Sequence, residues 1–179
     1  VVNIKKALFY LIIALTLVSS NAIANTTDWV LPISKNTPGV INTNVTQNNI
    51  KNNICKANWT STVRPPVSYT NKLKLNQLKT SYSSFVKIWG SNPANYEEDH
   101  LISLQLGGNP IDPKNLFPQP YAGNNARKKD IIETKLKTLV CSGKITLKDA
   151  QTMIATNWVL AYNKYITSSD SNLAIDKNN

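Results

Sequence analysis

The stretch from 126 to 165 leaves this chain the least freedom. Ile132, Leu136, Leu139 and Val140 recur at the spacing that puts side chains on one stripe of a helix, and Ser142-Gly143 ends the run. Thr146 and Asp149 then make a T-x-x-D start signal. Beyond it Ala150, Met153, Ile154, Trp158, Ala161, Tyr162 and Tyr165 continue at helical spacing. Two longer helices are predicted, over 126–141 and from 146 to about 165. Trp158 and the tyrosines belong to their buried stripes rather than to a platform for stacking bases.

The rest of the chain is broken into shorter pieces, with no internal repeat. Residues 25–44 are rich in Asn and Thr and carry Pro32, Pro38 and Gly39, which predicts an extended lead-in. Asn44 and Gln47 suit a capping box before a short helix that holds Val45, Ile50 and Ile54 and delivers Cys55. Pro65-Pro66 predicts an extended segment over 58–70, and Thr70 a cap for a second short helix with Leu73 and Leu78. Residues 82–96 read as loop. Residues 96–121 lack a helical stripe. There "YEEDHLISLQ" and "KNLFPQP" predict two short strands around a long turn that contains Gly107-Gly108, Pro110 and Asp112-Pro113. The expected class is α+β and mostly helical. A strand–loop–strand–helix unit packs with several short and two longer helices in one domain, 45–166, followed by a polar, flexible tail over 167–179.

Residues 1–24 place two lysines before an apolar run from Ala7 to Val18 and end in Ala22-Ile23-Ala24, the order of a cleavable secretory signal peptide. An uncleaved N-terminal anchor is the alternative. The run is shorter than the ~20 residues a spanning helix needs, so no membrane segment is expected in the mature form. The expected location is periplasmic or extracellular. The chain has a formal charge of +10, and losing Lys5 and Lys6 with the leader leaves +8. That surplus favours a polyanionic partner, with plain solubility as the alternative. Cys55 and Cys141 are the two cysteines, an even pair suited to a disulfide in an oxidising compartment; two buried free thiols are the alternative. One histidine and two distant cysteines give no zinc cluster.

The single histidine, His100, follows Glu97-Glu98-Asp99. The pattern Asp99-His100-Leu101-Ile102, then Gly107-Gly108, Asn115-Leu116 and Asn124-Asn125-x-x-Lys128 resembles the HNH, or ββα-metal, endonuclease motif over about thirty residues. More widely, the chain is similar to secreted bacterial HNH-like proteins over roughly 37–165, through blocks such as "TVRPP", "YEEDHLI" and "LVCSG". The resemblance implies a metal-dependent endonuclease that cuts DNA or RNA with little sequence preference and leaves 5′-phosphate ends. In it His100 is the general base, Asp99 a metal ligand and Asn115 the tie that positions the His100 backbone. Asn125 or Asn124 is the second ligand, Asn125 being favoured because Lys128 follows at the family's spacing. Helix capping is the ordinary alternative for both. If neither binds the ion, Asp130 or Glu133 is next in line. Oxygen ligands suit Mg²⁺ or Mn²⁺. The zinc-binding cysteine pairs of some relatives are absent, and a Cys55–Cys141 link is the expected brace. Arg64, Arg127, Lys128 and Lys129 are the candidate phosphate contacts. The rival expectation is a catalytically inactive HNH-fold module that binds nucleic acid or another anionic polymer.

Overall fold

The computed structural model describes residues 29–168. The leader at 1–24, the start of the lead-in and most of the tail lie outside them. The described chain runs α1 (Trp59–Val63), α2 (Val67–Lys79), α3 (Ser83–Trp89), β1 (Tyr96–His100), β2 (Leu116–Pro120), α4 (Asn125–Cys141) and α5 (Leu147–Tyr162), with short 3₁₀ segments between. It is mostly helical, with one two-stranded sheet. The strands are antiparallel and pair Tyr96 with Pro120 and His100 with Leu116 at the two ends.

The two longer helices form where their stripes predict. Ile132, Leu136 and Val140 of α4 and Ala150, Ile154 and Trp158 of α5 are all buried in one apolar cluster. Thr146 caps α5, its Oγ1 accepting from Asp149 N at 3.0 Å. A π-helical turn, Asn163–Thr167, extends that helix. A second cluster joins Leu78, Tyr82, Phe85, Tyr96, Leu101 and Phe117, so α2 and α3 pack on the small sheet.

The shorter elements depart from expectation for local reasons. The 58–70 segment is not extended throughout, since α1 occupies its first half. Proline is excluded from a helix interior but tolerated at its start, and Pro66 is the N-cap of α2, which opens at Val67 and not after Thr70. The loop expected over 82–96 contains α3, which stops at Gly90, where φ is +86°. The capping box of the first 3₁₀ helix, Gln47–Asn52, uses Thr46 and Asn49 rather than Asn44 and Gln47. Gln47 instead accepts from Leu147 N at 2.6 Å.

The lead-in is stitched to the domain along its described length. Trp158 Nε1 donates to Val30 O at 3.0 Å, Gly39 N to Lys114 O at 3.0 Å and Asn42 N to Gly107 O at 2.8 Å. Cys55 and Cys141 form a disulfide, Cα–Cα 5.6 Å, that ties the segment after the first 3₁₀ helix to the end of α4. Among the described residues no helix is long and apolar enough to cross a membrane.

Candidate active site

The loop between β1 and β2 decides where His100 stands. Gly108 runs so close to the Ile102 carbonyl that an added Cβ would lie 1.7 Å from its oxygen, so only glycine allows this approach. Asn115, fully buried, closes the loop. Its Nδ2 donates to Ile102 O at 3.0 Å and Asn109 O at 2.9 Å, while its Oδ1 accepts from Ile102 N at 3.0 Å and Val40 N at 3.3 Å. Leu101 N donates to Asn115 O at 2.8 Å. One side chain thus ties Ile102 and Asn109, in the loop that follows His100, to the lead-in at Val40.

His100 ends β1, 5% exposed. Its Nε2 lies 2.9 Å from Pro110 O. A carbonyl only accepts, so Nε2 carries the hydrogen and the neutral ring keeps its lone pair on Nδ1. Burial lowers the ring's pKa, reinforced by Lys129 and Arg64 and opposed by the Pro110 bond and by Asp99. The imidazole is therefore neutral at pH 7.

His100 lines two hollows that share Arg64 and Glu97. One, of about 80 Å³, also meets Asp99, Ser103, Asp130 and Glu133; the other, of about 270 Å³, meets Glu98, Lys74 and Tyr121. Asp99 and His100, neighbours on a strand, therefore border one space. Both oxygens of Glu98 are buried without a hydrogen-bond partner, and burial, with Asp99 adding to it, pushes the carboxyl up to about 9. Glu97 and Asp130 are raised as well, chiefly by burial and then by the charge of Asp99.

The cation beside Asp99 is a side chain. Lys129 is fully buried on α4, and its Nζ lies 2.7 Å from Asp99 Oδ2, 2.5 Å from Glu133 Oε1 and 2.8 Å from His100 O. Burial works against its charge, but Asp99 and Glu133 outweigh that and raise its pKa. Burial likewise raises Glu133, with Lys129 opposing. Lys129 is thus an internal ion-pair residue and not a phosphate contact, which corrects the expectation.

Three other expected roles change. Asn125 is fully buried; its Oδ1 accepts from Val30 N at 2.6 Å and its Nδ2 donates to Ala122 O at 2.7 Å, so its amide holds the lead-in rather than a metal beside Asp99. Lys128 sets its ammonium over the Trp29 ring, 4.1 Å from the centroid, and borders neither hollow. Arg127 is exposed and pairs with Asp130 at 3.5 Å, also off the lining. Asn124 lies in the 3₁₀ turn that leads into α4. Of the four basic candidates only Arg64 lines the hollows that His100 borders.

Among the described residues no group of three His, Cys, Asp or Glu side chains is placed to hold a metal ion. With Asn125 engaged elsewhere and Lys129 against Asp99, the residues present do not fit the divalent ion that the resemblance implies. Sequence reasoning missed Lys74 and the pairing of Lys129 with Glu133. The second had a signal, since a lysine and a glutamate four apart share a helix face. Compared with known proteins, the chain matches no family model, no curated protein and no solved structure.

Proposed function

We propose that this protein hydrolyses phosphodiester bonds of nucleic acid, DNA or RNA, with little sequence preference, and that His100 is its general base. The observation that carries the reading is the Nε2–Pro110 bond, which leaves Nδ1 as the accepting nitrogen of the buried, neutral ring, beside hollows shared with one arginine. In the proposed step Arg64 draws a backbone phosphate into the cavity by charge-assisted hydrogen bonds. Nδ1 takes a proton from a water as its oxygen attacks phosphorus. The ester bond to the leaving oxygen breaks, and that oxygen takes a proton from water. Lys129 positions the base through the His100 carbonyl, and Asn115 through the residues that follow it. Recognition through a phosphate alone carries no base readout, which is why little sequence preference is proposed. The Cys55–Cys141 disulfide supports export, and the basic composition supports a polyanionic substrate.

The test is cleavage of plasmid DNA and of a single-stranded RNA by the oxidised protein, in EDTA and with added Mg²⁺ or Mn²⁺. The expected result is cutting by the parent and none by a folded His100→Ala. Equal cutting by both would end the proposal. One observation favours a second reading, a catalytically silent module that holds anionic polymer. The acid expected to bind metal is already neutralised by Lys129. Salt-sensitive retention of DNA without cleavage in any of these conditions selects it.

A further inference from the structure

We infer that the ammonium of Lys129 is the built-in cation of this cavity, and that it excludes a divalent ion from Asp99. Three oxygens from two elements converge on it: Asp99 Oδ2 at 2.7 Å, His100 O at 2.8 Å and Glu133 Oε1 at 2.5 Å. His100 O and Glu133 Oε1 accept hydrogen bonds from the ammonium, and Asp99 Oδ2 stands beside it at ion-pair distance. The side chain is fully buried, out of reach of a phosphate. Its role is therefore to fill a cation position, not to meet substrate.

The cage is what a hard ion would otherwise want, with two carboxylates and a carbonyl. The ammonium holds those oxygens at N–H···O distances, longer than the roughly 2.0–2.1 Å of a Mg²⁺ ligand. An ion arriving at Asp99 would meet a like charge that is buried and poorly screened. Removing the ammonium leaves two carboxylates without their counter-ion around one vacant point, which converts the cage into a divalent site. The inference concerns ion binding and stands whether or not the protein cleaves nucleic acid.

Mn²⁺ titration of the oxidised full chain, followed by the electron paramagnetic resonance signal of free Mn²⁺, tests it. The variants are Lys129→Ala, Asp99→Asn and the double variant. The parent is expected to show no stoichiometric site. Lys129→Ala is expected to bind one Mn²⁺ at least about 10-fold more tightly than the parent, the low end of what a supporting group contributes to metal affinity. Its melting temperature should rise with Mn²⁺ more than the parent's, and the double variant should lose both effects. A parent that binds one Mn²⁺ and loses it on Asp99→Asn overturns the inference. So does a folded Lys129→Ala that binds no better than the parent. If Lys129→Ala does not fold, the parent and Asp99→Asn decide: one Mn²⁺ dependent on Asp99 overturns the inference, and no stoichiometric site supports it.

Discussion

A neutral imidazole beside a protonated glutamic acid is the distinguishing chemistry of single residues here, and both states come from burial. His100 is lowered from an ordinary 6.5, so the acid limb of any His100-dependent rate should have its midpoint below pH 6.5. A pH–rate profile checks this; a limb above pH 7 would contradict the buried, Pro110-bonded ring. Glu98 is raised from 4.5 to about 9. Between those values the folded chain holds a proton that the unfolded chain has released. Stability therefore falls as pH rises through that window, by at most about 1.4 kcal/mol per pH unit. Glu98→Gln should flatten that fall, as measured by urea denaturation at a series of pH values. The positions of Asp99 and His100 at the end of one short strand and of Asn115 just before the next were legible in the sequence because glycine and proline mark the turn between them. Lys129 was not, because its burial depends on Asp99, thirty residues away, and no local pattern distinguishes it from the exposed Arg127.

Elements meet at this cavity through a few polar anchors. Asn115 joins the β1–β2 loop to itself and to the lead-in with four side-chain hydrogen bonds. Asn115→Ala leaves buried backbone groups unpaired at about 1–3 kcal/mol each, so chemical denaturation should show a loss of at least that size. Lys129 joins α4 to β1, and Lys129→Met leaves Asp99 and Glu133 buried without their counter-ion. Breaking such a pair typically costs about 3–5 kcal/mol, a loss the same measurement should show at neutral pH. The longer elements were legible because periodicity and caps repeat over several turns. The shorter ones were not. The five residues of α1 carry no period, and Pro65-Pro66 was read as a barrier when Pro66 is the start of α2.

Across the described molecule, two apolar clusters form the core, and one covalent link ties Cys55 to the end of α4. The first cluster was foreshadowed by the α4 and α5 stripes; the second was not, since residues 82–96 read as loop. The lead-in's part in them was not, because Val30 and Thr37 are buried by partners far along the chain. The disulfide ties positions 86 residues apart. Reducing it should cost about 2–5 kcal/mol, seen as a lower melting temperature in reductant. A Cys55→Ser protein as stable as the parent would remove that role. The wider account, a basic exported protein that acts on phosphodiesters, stands or falls on the imidazole at the centre. The most direct measurement is cleavage of plasmid and RNA by the oxidised parent and by a His100→Ala protein shown to be folded. The account predicts strand scission by the parent and none by the variant; two proteins that cut alike, or a parent inert on both substrates with and without Mg²⁺ or Mn²⁺, would contradict it.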